Sequence, residues 1–187
     1  KIYSARRAAT NITMKLTIAI PTFNRFRCLS KAIRSILSLE VPQGIDLHVA
    51  ISNTQSADMT FKYLENLESK KKGFHLLNQS KGRSIPTPNW VTLSYIVPRD
   101  SDWVWLHGDD DQIIDSQAIQ KIAQVISETA KQNPRFLSIP QAKRSLGSGQ
   151  TLCADVFALC DEIGYHELLG WMSQLVMSGK TYFQMMD

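Results

Sequence analysis

The chain has 187 residues, 43% hydrophobic and 20% charged, which suits one globular domain with a sizeable core. Its formal net charge of +4 is mild. That suits an anionic small substrate, and the scattered basic residues, with Lys70-Lys71-Lys72 the one lysine run, argue against a nucleic-acid surface. The three cysteines, Cys28, Cys153 and Cys160, make neither a disulfide framework nor a zinc pattern, and no apolar run reaches the length of a membrane span. Such sparse, odd usage points to a reducing, cytoplasmic compartment, with peripheral association to a membrane left open.

In chain order, residues 1–13 carry Arg6 and Arg7 among small polar residues and lack the apolar core of a secretory signal. They read as a leader, an arm or an added remnant, which leaves 14–187 as the domain. Leu16 to Ile20 is a short apolar strand ended by Pro21, and Ser30 to Leu39 is a helix with Ala32, Ile33, Ile36 and Leu37 at helical spacing. Cys28, just before that stretch, reads as a small core residue. Leu47 to Ile51 is a second strand, followed by the polar loop Ser52 to Ser56. Asp58 to Lys70 is a second helix, and Phe74 to Leu77 a third strand. Asn78 to Asn89, with Gly82, Pro86 and Pro88, is loop-like, and a helix follows from Trp90 to Val97.

Trp103 to Leu106 is the fourth strand, its alternating tryptophans read as packing residues. Ser116 to Ala130 is helical and Phe136 to Ile139 a further strand. Asp155 to Met177 reads as largely helical, in two pieces around Gly164 and Gly170. Strands alternating with helices predict an α/β fold, a Rossmann-like domain whose mostly parallel sheet is flanked by helices.

Such sheets bind ligands at the carboxyl ends of their strands. Three polar segments fall there: Pro21-Thr22-Phe23-Asn24-Arg25, Ser52-Asn53-Thr54, and Asp109-Asp110-Asp111 after His107-Gly108. Three adjacent carboxylates repel unless a cation or many donors gather there, and hard divalent cations take oxygen ligands shared with phosphates. A solvated acidic turn is the plainer alternative. No glycine-rich dinucleotide loop and no P-loop lysine follow the first strand. Thr22 and Asn24 there offer short polar groups for a base or ribose, and Arg25 offers a fork for phosphate. A turn with a helix cap competes with that reading.

Ile18-Ala19-Ile20-Pro21-Thr22-Phe23-Asn24-Arg25, followed by Leu106-His107-Gly108-Asp109-Asp110-Asp111-Gln112-Ile113, resembles family 2 glycosyltransferases of the GT-A fold. The resemblance implies a nucleotide-sugar half over 14–139 and a partial acceptor half over 140–187, truncated on the acceptor side. It implies that Pro21, Thr22, Asn24 and Arg25 flank the nucleoside of a nucleotide-sugar donor. Within the acidic run it implies Asp111 as the principal ligand of Mn2+ or Mg2+, Asp109 as a second, water-mediated one, and Asp110 beside the nucleotide. Asn53 stands where the family commonly has an aspartate on the uracil edge, which puts the base identity in doubt. Lys81 and Arg83 lie in the segment resembling the one that closes over the nucleotide.

Gly170 to Met177 resembles the apolar segment preceding the family's acceptor-activating carboxylate, yet no acidic pair follows it, so the general base is unassigned. Asp161, Glu162 and Glu167 read as solvated helix residues, Trp171 as core or an acceptor-stacking ring, and His107 as a packed histidine. The expected activity is transfer of a sugar, with inversion, to an acceptor hydroxyl on a saccharide, lipid-linked or protein acceptor. A non-catalytic nucleotide-sugar-binding module and a nucleotidyltransferase are the alternatives.

Overall fold

The structure is a computed structural model that describes residues 14–68, 73–79, 89–138 and 175–186. The elements are β1 (Met14–Thr22), α1 (Phe26–Leu37), β2 (Ile45–Thr54), α2 (Thr60–Glu68), β3 (Phe74–Gln79), α3 (Asn89–Ser94), β4 (Trp103–Leu106), α4 (Ala118–Thr129), β5 (Phe136–Ser138), β6 (Leu175–Ser178) and α5 (Gly179–Met186). Among the described residues they build one six-stranded sheet in the order β3-β2-β1-β4-β6-β5. Strands β3, β2, β1 and β4 are mutually parallel, and β6 runs antiparallel between β4 and β5.

Burial on both faces explains the apolar strands. On one face Leu16, Ile18 and Ile20 of β1 meet Leu29, Ile33 and Ile36 of α1, Leu64 of α2 and Ile119 of α4. Trp103 and Trp105 pack into this cluster, as their alternation predicts. On the other face Ala19, Ala50, Val104 and Leu106 meet Leu93 and Val97 around α3 and Tyr182 of α5. A parallel sheet covered on both sides needs near-continuous hydrophobic strands, and β1 and β4 supply them.

Three expectations are corrected. Leu175, Val176 and Met177 belong to strand β6, not to a helix. All three are buried with strands on either side, and a short apolar run of that kind has no periodicity to separate strand from helix. The rest of the expected helical stretch, 155–174, lies outside the described residues.

Second, Pro21 does not end β1. It pairs in register with Ser52 of β2, beyond the point where pairing with β4 stops at Ala19 and Leu106. Its missing N–H therefore forfeits no bond on the β4 side. Third, Cys28 is exposed, because α1 begins at Phe26 and buries the stripe Leu29, Ala32, Ile33 and Ile36; Leu37 also faces outward.

From β1 the chain adds β2 and then β3 on one side, then returns to place β4 on the other side of β1. The connection direction reverses between β1 and β4. In open α/β sheets the crevice at such a reversal, outside the carboxyl ends of the strands, is where ligands bind.

Candidate active site

Register alone brings the polar segments together. Thr22 lies beside Asn53, and Ala19 beside Leu106, so the loops after β1 and β2 and the acidic run after β4 share one rim at the reversal point. Across that crevice the Thr22 hydroxyl donates to Asp109 Oδ2 at 2.7 Å, with both side chains buried. Arg25 Nη1 donates to Asp109 Oδ1 at 3.2 Å and to Asp110 Oδ2 at 2.7 Å. Burial pushes the Asp109 carboxyl above its ordinary range, partly offset by the Thr22 hydroxyl and Arg25, while the Asp110 charge adds to the rise. The same contacts, Asp109 foremost, raise Arg25 further and keep it charged. Among the described residues Asp111 has no side-chain hydrogen-bond or ion-pair partner.

Gly108 shapes the space beside this run. A Cβ built there would lie 2.6 Å from Asp111 Oδ2 and 3.0 Å from Asp110 Oδ1, so both oxygens lie over the bare Cα of Gly108 and form a notch that a side chain there would crowd. His107 supports the turn from beneath. It is buried, its Nδ1–H donates to the Gly108 carbonyl at 2.7 Å, and its ring meets Trp105 edge-on. Burial depresses its pKa, so it stands as a neutral, packed histidine, as expected.

The loops after β1 and β2 are bound to each other. Asn24 adopts a left-handed backbone conformation, φ 53°, which asparagine tolerates better than most residues. Its N–H donates to Ser56 Oγ at 2.7 Å, and its Oδ1 accepts from the Ala57 N–H at 2.6 Å. The Ser56 hydroxyl in turn donates to Oδ1 of Asn53, which is fully buried.

Asp58 accepts from the Phe26 N–H at 2.9 Å and from the Thr60 N–H at 2.9 Å, so one carboxylate caps the first turns of α1 and α2 together. Burial raises its pKa, but the hydrogen bonds from Thr60 and Phe26 outweigh that, and the carboxyl sits below its ordinary range. A group depressed in the folded state lends stability above its unfolded pKa and loses it as pH falls through the folded value. Asp58→Ala is therefore expected to cost about 1 kcal/mol at pH 7. The gap from wild type should narrow below about pH 4. Urea melts at pH 7 and pH 3 check this, and an equal gap at both would refute the capping role.

A third group ties α3 to the rim. Asn89 Nδ2 donates to the Thr22 carbonyl at 2.8 Å, and the Ser52 hydroxyl lies 3.1 Å from both Asn89 Oδ1 and Thr92 Oγ1.

Pro21, Thr22, Asn24, Arg25, Asn53, Asp109, Asp110 and Asp111 are thus all on one rim, as the sequence predicts. Lys81 and Arg83 lie outside the described residues. The hydroxyl of Thr22, the carbonyl of Asn24 and the carbonyl of Asn53 hold the rim together rather than standing open. Sequence reasoning missed Ser56, Asp58 and Asn89. Asp58 carried a signal, since an aspartate just before a helical stretch is a capping residue. The contacts of the other two cross between elements and have no local signature.

Residues 17–134 match the model of the family described as Glycosyl transferase family 2. A Campylobacter jejuni protein, GalNAc(5)-diNAcBac-PP-undecaprenol beta-1,3-glucosyltransferase, is 30% identical over 115 residues, covering 61% of this chain and 35% of that protein. The chain thus spans about a third of the length of this relative.

Among solved structures, S. aureus TarS 1-349 superposes with a TM-score of 0.56 at 19% identity, over 74% of this chain and 39% of that one. The mannosyltransferase PcManGT from Pyrobaculum calidifontis, in complex with GDP-Man and Mn2+, gives 0.55 at 15% identity, over 71% and 37%. These likenesses establish the shared GT-A fold. With the family match extending from β1 through α4, they make this chain a member of glycosyl transferase family 2.

Proposed function

We propose that this chain carries the donor-binding half of a glycosyltransferase that moves a sugar from a nucleotide sugar to an acceptor hydroxyl, with inversion. The observation that carries the reading is the Thr22–Asp109–Arg25–Asp110 chain of hydrogen bonds across the reversal point of the sheet. Phe23, half exposed on the same rim, offers an aromatic face for a base. The Asn24 amide nitrogen and the exposed side of the loop carrying Asn53 flank that position, with Lys81 and Arg83 as further candidates for the base or diphosphate. Buried Asn53 acts on the base through the Ser56 contact that fixes this loop. Structures of S. aureus TarS in complex with UDP and with UDP-GlcNAc, and of PcManGT with GDP-Man, support a nucleotide-sugar donor.

A divalent cation, Mn2+ or Mg2+, fits the donor chemistry of the notch over Gly108. Asp111 Oδ2 and Asp110 Oδ1, which lie over the Gly108 Cα, would be its hard oxygen ligands, with Asp111 the principal one. Asp109 has both oxygens engaged by Thr22 and Arg25, so its part is to hold the run in place and reach the cation indirectly. Among the described residues no three carboxylate, imidazole or thiol side chains form a complete cage. A cation shared with phosphate oxygens needs only one or two carboxylates from the protein. Such a cation neutralises charge on the departing nucleoside diphosphate.

The acceptor is a saccharide, lipid-linked or protein hydroxyl. The lipid-linked option is supported by the Campylobacter jejuni relative, whose name places an undecaprenol pyrophosphate on its substrate. No helix among the described residues is long and apolar enough to cross a membrane, and action on a lipid-linked acceptor would place the protein at a membrane surface.

A thermal-shift panel of nucleoside diphosphates and nucleotide sugars, with and without Mn2+, tests the reading. Ligand at a hundred times its dissociation constant stabilises by about 2.7 kcal/mol, a rise of roughly 5–10 °C for a chain of this size. If no nucleotide moves the midpoint in the presence of Mn2+, the proposal fails.

Gly108→Ala gives a sharper check. The atoms its Cβ would meet are carboxylate ends that can rotate away, so the melting midpoint should stay within a few degrees. Rotation disperses the two oxygens, and Mn2+-dependent nucleotide binding should fall about tenfold. Unchanged binding by calorimetry would place the metal elsewhere.

A further inference from the structure

Arg25 occupies an unexpected position. A guanidinium offered for phosphate instead lies on the acidic run, held through Nη1 alone by Asp109 Oδ1 and Asp110 Oδ2. Its side chain is 51% exposed, and among the described residues its other nitrogens have no partner. Asp110 carries Arg25 on Oδ2 while its Oδ1 faces the notch shared with Asp111, so the Arg25 charge sits one carboxylate away from that notch. A singly charged guanidinium and a divalent cation compete for the same negative field. Arginine also matches phosphate oxygens better than it matches two separate carboxylates through one nitrogen.

We propose that Arg25 is the resident counter-cation of the acidic run, and that its transfer from Asp109 and Asp110 to the donor's diphosphate is what couples nucleotide binding to metal binding. This rests on the nucleotide-sugar reading above and adds to it an order of events within the protein. Without nucleotide, Arg25 screens the run and metal binds weakly. A diphosphate gives Arg25 another partner, its charge leaves the notch, and the carboxylates bind a cation tightly. Coupling of this kind is reciprocal, so metal must raise nucleotide affinity by the same factor. Arg25 is here a positioning residue, acting on the metal through Asp109 and Asp110.

The consequence is inverted from that of an ordinary ligand or structural ion pair, because removing Arg25 should improve metal binding. Mn2+ alone is titrated into the full chain, with bound metal followed by electron paramagnetic resonance. Arg25→Gln should bind Mn2+ about tenfold more tightly than wild type, within the usual span of coupling factors. Arg25→Lys keeps the charge, but its ammonium ends one atom short of the Nη1 that touches both carboxylates, so it should fall between the two. If Arg25→Gln binds Mn2+ no better than wild type, or worse, the proposal is overturned.

Should the glutamine variant melt far below wild type, the Lys–wild-type comparison decides. Tighter Mn2+ binding by Arg25→Lys supports the exchange, and equal or weaker binding overturns it. Titration of wild type with a nucleoside diphosphate plus Mn2+ separates the two layers. If that complex forms while the variants fail to tighten Mn2+ binding, only the exchange is wrong. If it does not form, the nucleotide-sugar reading falls and the exchange falls with it.

Discussion

Asp111→Asn is expected to lower Mn2+-dependent nucleotide affinity about a hundredfold, the upper end for outer-shell changes and a fair floor for a direct ligand. The substitution keeps the shape of the side chain and removes one charge. Asp111 makes no described side-chain hydrogen bond or ion pair, so folding should change by no more than about 0.5 kcal/mol. The notch over Gly108 would retain one carboxylate oxygen, from Asp110, where it had two. Asp109→Asn would be a poorer experiment, because Asp109 is buried and holds both Thr22 and Arg25, so lost binding could reflect a collapsed rim. Calorimetric titration of Asp111→Asn with nucleoside diphosphate and Mn2+ decides the matter. Titration curves superimposable on wild type would end the metal assignment.

Gly179→Ala should be the most damaging small substitution away from the site. A Cβ at this first residue of α5 would collide with the Ser101 carbonyl oxygen and lie 2.9 Å from the Ser101 carbonyl carbon. These are backbone atoms, and they are pinned. The Ser101 N–H and hydroxyl both bond the Pro98 carbonyl, the hydroxyl also meets Thr17 Oγ1 at 2.8 Å, and the Gly179 N–H donates to the Asp102 carbonyl at 2.8 Å. Nothing nearby can rotate aside. Overpacking of this kind costs about 3 kcal/mol or more, which lowers the melting midpoint by roughly 10 °C for a chain of this length. A thermal melt measures it directly, and a midpoint within two or three degrees of wild type, a margin below about 1 kcal/mol, would mean that α5 does not abut the 98–102 turn so closely.

Particular residues explain what the sequence made legible. The runs Leu16 to Ile20 and Trp103 to Leu106 are short, apolar and followed by polar segments, and both are strands buried on two faces. The parallel register then places the segments after them on one rim, which is why Thr22, Arg25 and the acidic run group together from the strand pattern alone. Element ends were less legible. Helix α1 starts at Phe26 rather than Ser30 because its first turn is capped from another loop, by Asp58, and Arg25 supplies no side-chain cap of its own. Strand β6 was hidden because Leu175, Val176 and Met177 are buried alike, so alternation is absent. Residue types at the site were legible, but their partners were not. Nothing in the spacing of Arg25 and Asp110 says whether the guanidinium faces a ligand or the carboxylates, since that depends on a contact between residues 85 apart in the chain.

The antiparallel β6 has a consequence for how the chain assembles during synthesis. The strands β1 to β4 pair among themselves and can begin to form a sheet as soon as they emerge from the ribosome. Strand β5 cannot join them, because its sheet partner is β6, and β6 must first dock on β4, pairing Trp103 with Ser178. Phe136–Ser138 therefore waits until a segment far along the chain has been made. The open edge of β4, with the backbone N–H and C=O groups of Trp103 to Trp105 unpaired, is then the surface a nascent chain most needs shielded, by a chaperone or by rapid arrival of β6.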